Sequence, residues 1–149
     1  MALITEDLVV LDVTATDRHE LNASLAKRLL DAGRITDLDG FLADIRAREE
    51  QMPTGLPGGI GIPHCRSAHV VEPTLGFARV AGGGVDYGAE DGPATLVFMI
   101  AAPDGAGSEH LTILAKLARK LIHQSFRDQL NAAATPADVI ALVDREVGL

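Results

Sequence analysis

A chain of 149 residues, 47% apolar and 23% charged, has the length and composition of one folded domain with a sizeable core. A net charge of −8, no basic stripe and only four Phe, one Tyr and no Trp argue against a nucleic-acid binder. No run approaches the ~18 uninterrupted apolar residues of a membrane span.

The segment Met1–Asp7 has neither the basic start nor the apolar stretch of a signal peptide. Cys65, alone, cannot form an intramolecular disulfide and fits a reducing compartment. A cytoplasmic protein without direct membrane insertion is expected, with residues 1–149 as a single domain.

Leu8–Val13 reads as a first strand, largely buried. Asp17 with Glu20 resembles a capping box and opens a helix through Leu21, Leu25, Leu29 and Leu30, stopped at Gly33. A second helix is predicted from Thr36 or Asp37 to Glu50, with Phe41, Leu42 and Ile45 inward. The Gly/Pro-rich segment Pro53–His64 follows, with a strand over Gly59–Pro63. Thr74–Val80 reads as a strand, Gly82–Gly84 as a turn, and Val85–Tyr87 as a short edge strand.

Ala94–Ala101 is an apolar run suited to a central strand, and Pro103–Gly107 a loop. Ser108 is a good N-cap for a long helix with Leu111, Leu114, Ala115, Leu117, Ala118, Leu121 and Ile122 on its apolar side. Ser125–Ala133 reads as a shorter helix, and Thr135–Pro136 opens a last one. Strands grouped between helices predict an α+β chain: a three-layer α/β/α sandwich around a central mixed β-sheet.

His64 leads the candidates for chemistry. Pro63 fixes its own φ and holds Ile62 extended, so the backbone entering His64 is stiff. Glycine amides nearby can approach an anion, and a neutral imidazole can be a nucleophile or a base. The plain alternative is a loop histidine bonded to a carbonyl. His110 sits in the first turn of the Ser108 helix, where the dipole favours an anion and a neutral ring. It either donates a hydrogen bond to a phosphoryl oxygen or is an ordinary first-turn polar residue. Arg48, at the end of the second helix, either pairs with phosphoryl oxygens or, like Arg46, compensates the helix dipole.

Cys65 follows His64 directly, and neighbours on an extended chain face opposite ways. It reads as a buried filler rather than a thiol paired with His64. His64, Cys65 and His69 lack zinc-ligand spacing, so no metal and no cofactor are expected. His19 and His123 read as surface residues of helices. Gly82–Gly84 matches no phosphate-loop pattern.

Arg48-Glu49-Glu50, Pro53-Thr54-Gly55, Gly61-Ile62-Pro63-His64 and Glu109-His110-Leu111 together resemble the fructose/mannitol-type IIA domain of the bacterial phosphoenolpyruvate-dependent sugar phosphotransferase system. Asp91-Gly92, Leu96-Val97-Phe98, Ala102-Pro103 and Leu114–Arg119 are similar too, so the likeness covers almost the whole chain. The resemblance implies that His64 is phosphorylated by the carrier HPr and passes the group to a cysteine of a sugar-permease IIB domain. It implies that His110 and Arg48 support the phosphoryl group. Gly61 stands where the family usually has alanine, and Cys65 follows the histidine. Around His64–Ser67 and Pro73–Arg79 the likeness is to fructose-specific members. Nitrogen-type IIA homologues share the motifs and regulate other proteins, which leaves a regulatory alternative.

Overall fold

Leu96–Pro103 forms the middle of the sheet, and its residues serve two cores in alternation. Leu96, Phe98 and Ile100 join one apolar cluster with Leu117, Leu121, Phe126, Leu130 and Val143. Val97, Met99 and Ala101 join another with Leu21, Leu25, Leu29, Phe41 and Ile45. A strand apolar on both faces requires cover on both faces. The result is the predicted three-layer α/β/α sandwich around a mixed sheet.

The computed structural model describes residues 2–105 and 107–148. Met1, Leu149 and Ala106, which falls in the predicted Pro103–Gly107 loop, lie outside the described residues. The elements are β1 (Val9–Val13), α1 (Arg18–Asp31), α2 (Leu38–Gln51), β2 (Gly55–Leu56), β3 (Ile60–Gly61), β4 (His64–Ser67), β5 (Thr74–Val80), β6 (Leu96–Pro103), α3 (Glu109–Leu121), α4 (Gln124–Ala132) and α5 (Pro136–Glu146). The sheet order is β1-β5-β6-β3-β2. β5 runs antiparallel along one edge of β6. On the other edge β3 and β4 follow one another, both parallel to β6.

The break between β3 and β4 matters most for the site. Pro63 has no N–H to give the ladder. The Ile62 N–H turns away to the Thr54 carbonyl at 3.1 Å. Pairing resumes at His64, opposite Ile100.

Caps follow the sequence closely. Asp17 accepts from the Glu20 N–H at 2.8 Å. The reciprocal half of the box is replaced by the Thr16 hydroxyl, which donates to Glu20 Oε2 at 2.6 Å. Asp37 accepts from the Gly40 N–H at 3.2 Å and starts α2. Gly33, at φ +74°, ends α1 as expected. Thr135 and Asp138 form a complete capping box, with Pro136 in the first turn of α5.

Several expectations need correction. β1 is an edge strand, and only Val9 in it is buried. Val85–Tyr87 makes a single bridge, Val85 to Ala94, rather than a strand. The strand predicted over Gly59–Pro63 is confined to Ile60–Gly61, which pairs with Gly55–Leu56 as a short hairpin. β4 was not expected at all. Ser108 occupies the N-cap of α3 without a side-chain cap bond. His123 sits at the N-cap of α4, not within a helix. On α3, Leu111 and Ile122 are exposed, and the buried face is His110, Ile113, Leu117 and Leu121. Thr112, Lys116, Arg119 and Lys120 make α3 amphipathic, and the row that packs on the sheet is His110, Ile113, Leu117 and Leu121.

Candidate active site

His64 is the first residue of β4, half-buried, immediately after the ladder break. Its Nδ1 lies 2.7 Å from the Ile62 carbonyl oxygen. Its Nε2 lies 3.3 Å from Nη2 of Arg48. A carbonyl only accepts and a guanidinium only donates. The two neighbours therefore dictate one tautomer: Nδ1 carries the proton, and Nε2 presents its lone pair. Burial is the main reason the His64 pKa falls below its ordinary value, with the Arg48 cation adding to the effect and the Ile62 carbonyl opposing it. The ring is a neutral nucleophile with a defined reactive nitrogen.

Arg48 reaches this place from the last turn of α2, where its Nη1 also donates to the Met52 carbonyl at 3.1 Å. The plain reading of Arg48 as dipole compensation and the chemical one thus coincide. Arg46 is exposed and, among the described residues, pairs with Glu50 at 3.9 Å.

Glu49 is buried behind this pair. It receives the Thr54 N–H at 3.3 Å and the Thr54 hydroxyl, and it meets Nη1 of Arg18 at 3.1 Å. Thr54 in turn accepts from the Ile62 N–H. A continuous chain of polar contacts therefore runs from Arg18 through Glu49 and Thr54 to Ile62, the residue whose carbonyl holds the His64 ring. By sign alone, an acidic Glu49 in the last turn of α2 is unfavourable to the helix dipole. Its burial explains why it is there.

His110 lies in the first turn of α3, 9% exposed. Burial, Arg66 and His64 all lower its pKa. Arg66 is the residue that sequence reasoning missed. Its Nε donates to His110 Nδ1 at 3.3 Å and its Nη2 to the Gly107 carbonyl at 3.1 Å. The signal available was the alternation of β4, which sets Arg66 on the same face as His64, but β4 itself was not foreseen.

Cys65 is buried in the opposite core, as the alternation predicted. Burial, with the nearby Asp44 carboxylate, pushes its thiol up to about 12. Ser67, on the same face, donates to Asp44 at 2.6 Å. The site thus gathers His64, Arg48, His110 and Arg66: one nucleophilic nitrogen, two guanidinium groups and a helix N-terminus. Such a set suits a group that brings several negative oxygens.

The family described as "Phosphoenolpyruvate-dependent sugar phosphotransferase system, EIIA 2" matches this chain over residues 2–146. The chain belongs to that family. As an EIIA 2 member it is a phosphotransfer component of the sugar phosphotransferase system. Among its relatives, the fructose-specific EIIA component of Haloferax volcanii is 44% identical over 118 residues, covering 76% of each protein. The fructose-specific EIIABC component of Bacillus subtilis is 35% identical over 144 residues, which is 96% of this chain but 22% of that protein. Among solved structures, the nitrogen regulatory protein IIA-Ntr of Neisseria meningitidis superposes with a TM-score of 0.87 at 30% identity, covering 95% of this chain and 96% of that one. Among the described residues, no helix of this EIIA 2 domain is long and apolar enough to cross a membrane.

Proposed function

We propose that this domain carries phosphate on His64 in the cytoplasm, from HPr to a cysteine of a fructose-type IIB domain. The observation that carries the reading is the tautomer of His64, with Nδ1 tied to Ile62 and the Nε2 lone pair turned toward Arg48. The Nε2 electron pair forms the new bond to phosphorus. The bond from phosphorus to the donor imidazole breaks, and its electron pair returns to the donor nitrogen. The Nδ1 proton stays on His64, and the Ile62 carbonyl steadies the ring as it gains positive character.

Transfer between two nitrogens passes through a loose transition state, so holding the group in line and meeting its charge are the main tasks. Arg48 moves its donors from Nε2 to the phosphoryl oxygens. His110 and the N-terminus of α3 receive the others. A solvent-poor contact with HPr limits loss to water. The fructose assignment is supported by the names of the two relatives above.

A regulatory reading is favoured by one observation, the superposition on the nitrogen regulatory protein. Labelled phosphoenolpyruvate with the upstream phosphotransfer proteins tests the carrier reading. Wild-type protein is expected to take label that His64→Ala does not. Label should then leave His64 when a fructose IIB domain is added. Retention of label on His64 with every IIB domain supplied would favour regulation, and label on His64→Ala would overturn both.

A further inference from the structure

Arg66 joins two parts of the site that are 44 residues apart in sequence. It projects from β4 on the face of His64 and spans to the start of α3, donating to a His110 ring nitrogen and to a backbone carbonyl of the preceding loop. Its side chain is exposed, unlike those of Cys65 and Ser67 on either side, so no core packing explains its position.

We propose that Arg66 is a positioning residue for phosphoryl transfer: by donating to Nδ1 it fixes His110 as the neutral Nε2–H tautomer and so holds a hydrogen-bond donor in the site. The inference rests on reading His64 as the phosphoryl carrier. The chemistry is one-directional. A guanidinium is always charged and has five N–H donors and no acceptor. The nitrogen it meets must carry a lone pair, so the proton of a neutral His110 resides on Nε2.

Two positive features face His110, Arg66 from β4 and the N-terminus of its own α3, and the Gly107 carbonyl opposes them. Both positive features disfavour a second proton on the ring, and with burial they outweigh the carbonyl. The planar fork of Arg66, anchored at Gly107 as well, sets the rotation of the ring about its own side chain. A lysine offers the same charge without the two-point geometry.

The test reads the ring nitrogens directly. Histidine nitrogen spectra of the unphosphorylated protein are expected to show His110 as Nε2–H in the wild type. In Arg66→Met, His110 should become a mixture of tautomers and titrate at higher pH. Phosphate acceptance from HPr should slow about tenfold, the loss of one charge-assisted hydrogen bond. Arg66→Lys should restore part of the tautomer preference, while His64 keeps its Nδ1 proton in both variants. Wild-type His110 with its proton on Nδ1 would overturn the proposal. So would slowed transfer in Arg66→Met with the His110 tautomer unchanged, because Arg66 would then act on the phosphoryl group itself. Absence of label on wild-type His64 would instead remove the carrier reading, with the tautomer comparison still deciding what Arg66 does to His110.

Discussion

Arg48 Nη2 stands 3.3 Å from His64 Nε2, in the place a phosphorus atom must approach. On the proposed carrier role, the arginine guards the lone pair at rest and yields it when the phosphoryl group arrives. Arg48→Met is expected to slow phosphate acceptance about tenfold to a hundredfold, the range for loss of a charge-assisted bond. The His64 titration should move upward, because a neighbouring cation has gone. Rate measurements with phospho-HPr and a proton NMR titration check both; an unchanged rate would remove Arg48 from the site.

The pH profile follows from the same ring. The His64 pKa lies below its ordinary value of 6.5, so the nucleophile is neutral throughout the neutral range. Acceptance should be flat above about pH 6.5 and fall only as the pH drops through the lowered pKa of the folded protein. The stability contribution has the same sign. Between the lowered pKa and 6.5 the unfolded chain binds the extra proton, so stability declines as pH falls through that window. His64→Ala should flatten part of that decline in a denaturation series.

Glu49 is buried, bonded to the buried Thr54 and paired with a half-buried Arg18. Removing Glu49 leaves the half-buried Arg18 and the Thr54 donors without their acceptor, at about 2 kcal/mol. Glu49→Ala should lose about that much in chemical denaturation, and Glu49→Gln less, since its amide oxygen still accepts from Thr54. Loss of activity without loss of stability in Glu49→Ala would contradict the supporting role.

Gly61 is matched to Tyr87. A Cβ at Gly61 would lie 2.8 Å from Cγ of the Tyr87 ring. That ring is fully buried, and its hydroxyl donates to Asn22 Oδ1 at 2.7 Å, so it has little room to retreat. Gly61→Ala, the usual residue of the family, should cost about 1–3 kcal/mol here through overpacking. A double-mutant cycle with Tyr87→Leu should show strong positive coupling. Wild-type stability in Gly61→Ala would mean the ring moves freely.

Cys65 should be inert in the native protein. With its thiol pushed up to about 12, a thiol reagent at pH 8 should label it only after unfolding. Cys65→Ala should leave phosphate acceptance intact. Rapid native labelling would show that the site opens.

The parts of this molecule written in local chemistry could be read from the chain. Asp17, Asp37 and Thr135 announce their helices because a cap is a short-range bond. Pro63 announces the stiff approach to His64 for the same reason. The partners of that histidine could not be found so directly. β4 has no apolar alternation of its own, and it is a strand because β6 lies beside it. Arg66 meets His110 only after the sheet and α3 are in place. Glu49 carries a charge that local rules put on the surface, and only Arg18, brought by α1, makes its burial tolerable. The family likeness supplied His110 and Arg48, whose roles no local rule decides.

The pairing of β4 with β6 has one more consequence. His64 and Cys65 are adjacent, and the pleat decides that the imidazole faces the site while the thiol faces the core. A slip of one residue along β6 would turn the thiol outward and bury the imidazole. The interruption at Ile62–Pro63 pins that register, with Ile62 bonded to Thr54 on one side and the Pro63 carbonyl to the Ile100 N–H on the other. A proline that looks like a local stiffener is thereby part of a chain-wide choice between two chemistries, nitrogen and sulfur.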